Sequence, residues 1–266
     1  MKDLARIFAE LTDPLAAGAT LLLLSDYDGT LTPLVADPAA AGLAREVRDD
    51  LRLLAGSPVV RVGILSGRAL DDIRARVGVP EIIYAGCHGL EIEGPGLAFR
   101  HPGAEALRWM LAAIAEALRI RAASIPGVRV EAKGLAVAVH YRNVAPAALA
   151  RLEILFERVI HPRRSKLRLF RGKKVIEILP RVGWNKGECG LWIRDRICPT
   201  VPSDVAILYM GDDRTDEVAF DVLSGKATTV RVGPGPSLSA AKYRLPDVPD
   251  VHRLLSALAA EVRGRR

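Results

Sequence analysis

Cysteine and aromatic residues are scarce in this chain, and long apolar runs are missing. The three cysteines, Cys87, Cys189 and Cys198, are odd in number and form no CxxC pair. That pattern argues against a disulfide framework or a zinc site and suits a reducing compartment. Aromatic residues make up 5% of the chain, and its basic stretch, Arg158–Lys174, contains only Phe170. A stacking platform for single-stranded nucleic acid interleaves aromatics with cations, so none is indicated. No apolar stretch approaches the roughly 20 residues that span a bilayer. Leu21–Leu24 is too short for a signal-peptide core and runs straight into acids. The expectation is a soluble, cytoplasmic, monomeric chain that contacts neither membrane nor nucleic acid. The net charge of +7 is then left to an anionic small substrate or a solvated basic face.

What is present is a sequence of alternating strand and helix signals. At 266 residues the chain has room for two domains of about 150 residues each. Residues 3–11 read as a helix closed by Pro14. Leu21–Leu24, Val59–Leu65 and Glu81–Ala85 read as strands. Between them lie helices carrying Leu43, Val47, Leu51 and Leu54, then Leu70, Ile73 and Val77. Such alternation builds a parallel sheet. Leu90–Ile92 and Leu97–Phe99 flank Gly94-Pro95-Gly96 as a hairpin. The pattern then changes. A long helix over about Ala104–Ala123 precedes strands Val128–Ala132 and Leu135–Tyr141, joined near Lys133-Gly134. A helix over Ala147–Ile160 precedes strands Lys166–Phe170 and Lys174–Leu179, joined at Arg171-Gly172-Lys173. This repeated α-β-β order describes a four-stranded antiparallel sheet with helices on one face. After Pro180 the α/β pattern resumes: helix Asn185–Arg194, strand Val205–Met210, helix Thr215–Leu223 and strand Thr228–Val232. The loop Gly233-Pro234-Gly235-Pro236 and a last helix near Pro249–Val262 follow. The fold class is therefore α/β: a Rossmann-like parallel-sheet core, residues 1–103 and 181–266, with an α+β domain inserted at 104–180.

The stretch LLLLSDYDGTLTP, Leu21–Pro33, organises the chain. A short apolar run ending at two aspartates reads as a strand buried on both faces, with carboxylates at the edge where open α/β sheets bind ligands. Gly29-Thr30 ends the strand, so the chain can curl and bring Asp26 and Asp28 toward one point. One of them can serve as nucleophile or metal ligand and the other as acid–base group. Ser66-Gly67-Arg68 follows the second strand. The Ser66 hydroxyl and the backbone N–H groups of the next helix start can hold a phosphate oxygen, although a helix-capping serine would look the same. Arg68 is open to a phosphate contact or to a plain surface role. Lys186 opens a helix and is either a point charge for a phosphoryl group or a solvated lysine. Asp212, Asp213 and Asp216 crowd the end of another strand, where clustered acids repel one another unless a cation joins them. Hard oxygen ligands of this kind suit Mg²⁺. An acidic helix start accounts for Asp216 and Glu217, and less well for Asp212 and Asp213.

Taken in order, DxDGTL, Ser-Gly-Arg, Lys-Gly and GDDxxxD resemble the haloacid-dehalogenase-like phosphatase superfamily, and the insert resembles its type-2 cap. Ala85-Gly86-Cys87-His88-Gly89-Leu90-Glu91-Ile92, Val130-Glu131-Ala132-Lys133-Gly134, Val139-His140-Tyr141-Arg142, Gly172-Lys173-Lys174-Val175-Ile176-Glu177-Ile178-Leu179-Pro180 and Gly211-Asp212-Asp213-Arg214-Thr215-Asp216-Glu217 are similar to trehalose-6-phosphate phosphatases, with Ile178-Leu179-Pro180 standing where Val-Arg-Pro is frequent. The resemblance runs from about Leu21 to Val232. It implies a Mg²⁺-dependent enzyme of trehalose biosynthesis that releases phosphate through an aspartyl-phosphate intermediate. It implies Asp26 as nucleophile and Asp28 as acid and base. Asp26, the main-chain carbonyl of Asp28 and Asp212 would hold Mg²⁺, with Asp213 and Asp216 orienting that set. Ser66, Gly67 and Lys186 would grip the phosphoryl group. His88, Gly89, Glu131, Lys133, Arg142, Asn143 and Glu177 are then candidates for the sugar. Phosphatases of sucrose, mannosylglycerate or glucosylglycerol phosphate, and a non-catalytic sugar-phosphate-binding regulator, are the alternatives.

Overall fold

Leu21, Leu22, Leu23 and Leu24 are all fully buried, which a strand achieves only when both of its faces are covered. The computed structural model, which describes residues 2–35, 42–172, 174–197, 204–234 and 238–265, shows how. The chain divides into one unit made of Met1–Phe99 with Asn185–Arg266 and a second made of Arg100–Trp184.

In order, the first unit contains α1 (Lys2–Ala16), β1 (Thr20–Ser25), α2 (Arg45–Ala55), β2 (Val60–Leu65), α3 (Leu70–Val77), β3 (Ile83–Gly86), β4 (Glu91–Gly94) and β5 (Leu97–Arg100). The chain returns to it after the second unit, whose elements are α4 (Pro102–Glu105), α5 (Arg108–Ala122), β6 (Arg129–Ala132), β7 (Val137–His140), α6 (Leu149–Ile160), β8 (Leu167–Gly172) and β9 (Val175–Pro180). The return comprises α7 (Lys186–Ile197), β10 (Val205–Gly211), α8 (Arg214–Leu223), β11 (Thr228–Val232), β12 (Tyr243–Leu245) and α9 (Val248–Gly264).

The first unit's sheet runs β12-β11-β10-β1-β2-β3-β4-β5. It is parallel from β12 to β3, and β4 pairs antiparallel with β3. On one face Leu21 and Leu23 share a core with Leu51 of α2, Ile73 of α3, Ile7 of α1 and Leu254 of α9. On the other, Leu24 reaches Gly190 of α7 and Tyr209 of β10 meets Phe220 of α8 with ring centroids 5.7 Å apart. Helices on both faces explain the unbroken leucine run. In the second unit the four strands order β6-β7-β9-β8 and are antiparallel throughout. Val137, Val139, Leu167, Ile176 and Ile178 pack against α5 and α6, so the helices occupy one face, as the hydrophobic pattern requires.

Several local expectations are corrected. Pro14 does not close α1, which continues to Ala16. Ile7, Leu11 and Leu15 form one buried stripe, and its packing carries the helix past a residue that lacks an N–H donor. The helix expected over Ala104–Ala123 is broken into α4 and α5, with Leu107 leaving helical geometry at φ −102°, ψ 1°. The strand β12, only Tyr243–Leu245, was not anticipated, because three residues carry too little periodicity. Cys198, Lys173 of the β8–β9 link, and Gly235 and Pro236 lie outside the described residues.

A glycine in β2 makes the central packing testable. A Cβ at Gly63 would lie 2.7 Å from a terminal carbon of Leu24. Gly63→Ala should therefore cost about 1–3 kcal/mol through overpacking, read by urea unfolding. In a Leu24→Ala background that extra cost should largely vanish. The same cost in both backgrounds would remove the clash as its cause.

Candidate active site

The site grows from the carboxyl edge of the parallel strands. Past Ser25 the ladder adds one more bond, from Asp26 N to the Met210 carbonyl at 2.9 Å. The loops after β1 and β10 therefore leave the sheet side by side, one carrying Asp26 and Asp28 and the other Asp212 and Asp213. After Asp28 the chain reverses at once, with Leu31 N and Thr32 N both donating to the Tyr27 carbonyl at 3.0 Å. Gly29 makes this turn at φ +91°, and a Cβ there would lie 2.3 Å from Asp212 Oδ2. Only glycine satisfies both the backbone angle and the contact.

Lys186 is the central cation. The Asn185 side chain accepts from Gly187 N at 2.8 Å and Glu188 N at 3.1 Å, capping α7. That cap sets Lys186 in the first turn, with its side chain 2% exposed. Its ammonium donates to Asp26 Oδ1 at 2.6 Å and to Asp216 Oδ1 at 2.9 Å, so the solvated reading of this lysine does not hold. The Tyr209 hydroxyl also donates to Asp216 Oδ1, at 2.7 Å. The other Asp216 oxygen accepts Asp212 N at 3.0 Å and Asp213 N at 3.1 Å. Asp213 caps α8 by accepting from Thr215 N and Asp216 N. The helix-start explanation thus covers Asp213 as well as Asp216, contrary to expectation, in a D-x-x-D form of the capping box.

One ammonium faces an excess of carboxylates. Asp26, Asp212 and Asp216 each offer an oxygen within 4.8 Å of the others'. Burial pushes the Asp26 carboxyl up, against the pull of Lys186. Burial, followed by the charges of Asp216 and Asp213, pushes Asp212 up to about 7. Asp213 is held low instead: burial raises it, but Lys186 and the Thr215 hydrogen bond outweigh that. Lys186 is held well above an ordinary lysine, because Asp216 and Asp26 outweigh its desolvation. Crowded hard oxygens with surplus negative charge are the donor set that a divalent cation fits.

Asp28 has a separate partner. Arg68 grips it with two parallel bonds, Nε to Oδ2 and Nη2 to Oδ1, both 2.6 Å. A third donation, to Asp72 at 3.0 Å, anchors the guanidinium on α3. Arg68 is thus neither a plain surface arginine nor committed to phosphate here; its side chain is 11% exposed. The signal that could have exposed this pairing was strand adjacency, since β1 and β2 are parallel neighbours and the DxD and SGR motifs end them. Ser66 is not the cap of α3, a position taken by Ala69. Its hydroxyl accepts from Arg68 N at 3.1 Å, and its carbonyl accepts from His88 N at 2.9 Å. His88 and Gly89 belong to a buried turn with φ of +59° and +90°.

The remaining sugar candidates lie in the second unit. Lys133 and Glu177 form an ion pair of 2.8 Å with side chains 7% and 18% exposed. Glu131 pairs with His140 Nε2 at 2.8 Å, and this bond holds the Glu131 carboxyl below its usual range. Arg142 and Asn143 are exposed in the turn after β7. Two supports were not anticipated. Glu217 is more than a macrodipole acid: it accepts from Arg231 at 2.6 Å, Ser239 Oγ at 2.9 Å and Ala240 N at 3.0 Å. Arg231, on β11, also reaches the Asp213 carbonyl at 3.4 Å. No local motif marks Arg231, since its partners are far away in sequence.

A doubly wound parallel sheet with an inserted antiparallel sheet, and acids and a lysine at the strand ends, defines a haloacid-dehalogenase-like fold. The trehalose-phosphatase family profile matches residues 24–249, and the chain belongs to that family. It is 37% identical over 242 residues to the trehalose-phosphate phosphatase of Mycobacterium tuberculosis H37Rv, a match covering 90% of this chain and 61% of that protein. The chain thus spans about three fifths of the length of the curated relatives it matches. The crystal structure of a trehalose-6-phosphate phosphatase related protein superposes with a TM-score of 0.78 at 25% identity, covering 92% of this chain and all of that one. An Aspergillus fumigatus trehalose-6-phosphate phosphatase gives 0.65 at 26% identity, with 96% and 97% covered.

Lys186→Met should cost about 3–5 kcal/mol of stability without added cation, because it strands two buried carboxylates. Urea unfolding measures this, and a cost below about 1 kcal/mol would mean the cluster does not depend on the ammonium.

Proposed function

We propose that this chain hydrolyses trehalose 6-phosphate to trehalose and phosphate through an aspartyl-phosphate intermediate. The observation that carries the reading is Asp26: buried at a strand end, held by Lys186 and grouped with Asp212 and Asp216, in a chain of the trehalose-phosphatase family.

In this reading an Asp26 carboxylate oxygen attacks phosphorus while the bond from phosphorus to the sugar oxygen breaks. Asp28 gives that oxygen its proton, and the carboxylate left behind then takes a proton from the water that hydrolyses the aspartyl-phosphate. Arg68, which holds both Asp28 oxygens, suits the base role as it stands and has to release one oxygen before Asp28 can carry the proton. Ser66, Gly67 and Lys186 bind phosphoryl oxygens. Asp216, by accepting the amides of Asp212 and Asp213, sets the direction in which Asp212 points. Mg²⁺, held by Asp26, the Asp28 carbonyl and Asp212, would supply positive charge to the phosphoryl group and favour the ionised form of Asp26. In a loose phosphoryl-transfer transition state, charge neutralisation and positioning carry most of the rate, which is what this residue set offers.

The residues this reading puts forward for sugar hydroxyls are Glu131, Lys133, Glu177, Arg142 and Asn143, with His88 and Gly89 as separate candidates. Charged groups already held by partners are suited to reading hydroxyls, because little ordering remains to be done on binding. The reading carries with it a cytoplasmic setting and a monomer acting on a small sugar phosphate, without nucleic acid or membrane. Among the described residues no helix is long and apolar enough to cross a membrane.

Phosphate release from trehalose, sucrose, mannosylglycerate and glucosylglycerol phosphates, with Mg²⁺ and with chelator, tests the reading. Trehalose 6-phosphate should be the preferred substrate, and chelator should abolish turnover. Asp26→Asn should be inactive, whereas retention within about tenfold, only about 1.4 kcal/mol, would sink its role as nucleophile. Asp28→Asn should also be nearly inactive while still binding Mg²⁺ by calorimetry, since its expected ligand atom is a carbonyl. Glu131→Ala and Lys133→Ala should each lower the ratio of kcat/KM on trehalose 6-phosphate to that on p-nitrophenyl phosphate by at least about tenfold, the worth of one charged hydrogen bond. An unchanged ratio would return both residues to structural roles.

A further inference from the structure

We propose that Arg168, laid across the ring of Phe170, is a substrate-contacting residue on the helix-free face of the four-stranded sheet, where it donates to sugar hydroxyls and helps decide which sugar phosphate is accepted. The inference rests on the proposed sugar-phosphate function and adds residues that no motif marks.

Strand alternation fixes the face. Leu167 and Leu169 of β8 pack toward α5 and α6, as do Ile176 and Ile178 of β9. Arg168, Phe170, Glu177 and Leu179 therefore stand on the opposite side. The register then aligns them. Glu131, Ala138, Glu177 and Phe170 are successive partners in one row across β6, β7, β9 and β8. Arg168 is the partner of Leu179, two residues along on the same face. Lys133, the residue after β6, reaches Glu177 of β9 across β7, and Phe170 and Arg168 carry the same face on to the outer strand.

The surroundings of Arg168 are unusual for a cation. Its guanidinium carbon lies 4.4 Å from the Phe170 ring centroid, and the residue is half-buried. No carboxylate among the described residues pairs with it. Its neighbour Arg171 has Glu153, and Arg181 donates to the Leu167 carbonyl. Burial and the nearby Arg181 both disfavour its charge. A partly desolvated guanidinium without an acid is costly unless acceptors complete its donor set. Sugar oxygens are such acceptors, and the aromatic face holds the planar fork in place for them. Glu177, beside Phe170, offers the complementary acceptor for hydroxyl hydrogens.

The test compares kcat and KM of wild type, Arg168→Gln and Arg168→Lys on trehalose 6-phosphate, glucose 6-phosphate and p-nitrophenyl phosphate with Mg²⁺. Arg168→Gln should lower the ratio of kcat/KM on trehalose 6-phosphate to that on p-nitrophenyl phosphate by about tenfold, as for loss of one charged hydrogen bond. Arg168→Lys should restore only part of the ratio, because it keeps the charge but not the planar fork. Should Arg168→Gln fail to fold, as judged by its unfolding midpoint, the lysine variant carries the test alone with the ratio still lowered. A ratio within about twofold of wild type in the folded variants overturns the assignment while leaving the proposed function standing. A wild type active on p-nitrophenyl phosphate and silent on every sugar phosphate overturns both.

Discussion

A single buried ammonium holds the carboxyl edge of the parallel sheet together. Lys186 donates to Asp26 after β1 and to Asp216 on α8, and these elements are joined to it by no local stretch of chain. Without it, Asp26 and Asp216 would face each other through a poorly solvated interior, where like charges repel strongly. With it, their oxygens are fixed in position, and the cost of desolvation falls on a set of groups that can be used. This is the pattern by which strained electrostatics mark functional sites. A purely structural ion pair would balance its charges, whereas here three carboxylates gather around one lysine. The imbalance is itself the argument for a cation.

The rest of the first unit serves to deliver chain ends to that lysine. Parallel strands put every carboxyl terminus on one edge, so β1, β2, β10 and the helices that follow them converge without long connections. Hydrogen bonds then lace the loops together: Ser66 to His88, Arg68 to Asp28, Arg231 to Glu217 and the Asp213 carbonyl. Rigid anchoring of this kind keeps acids apart or together according to their partners. Asp26 and Asp28 are two residues apart, yet one is held by lysine and the other by arginine.

Much of this was legible in the sequence, for physical reasons. The leucine run could be read because burial on both faces of a strand removes polar residues altogether. The motifs could be read because acids directly after such a run have few structural uses. The cap-like sheet was visible as repeated α-β-β periodicity. What escaped was whatever depends on distant partners. Pro14 inside α1 is outweighed by tertiary packing. Strand β12 exists because β11 offers it an edge. Arg68 was ambiguous because nothing in Ser-Gly-Arg says that a carboxylate waits on the next strand. Asp213 was undervalued because coming off a strand hid its second identity as a helix cap.

The second unit applies the same logic to the face proposed to read the sugar. Its sheet has one face spent on α5 and α6, so any ligand chemistry must fall on the other. There the small side chain of Ala138 on β7, the partner of Glu177, leaves room for Lys133 to meet Glu177 across the strand. A larger residue in that central strand would force the pair apart or lift it off the sheet. The pairing in turn keeps both charges ordered, as the Glu131–His140 bond does for its carboxylate. Arg168 differs because its support is an aromatic ring rather than an acid. A ring orients a guanidinium without neutralising it or occupying its N–H donors, so the donors stay directed at whatever approaches the face. Paired groups fix the frame of such a surface, and the sugar contact proposed above falls on its stacked, uncompensated cation.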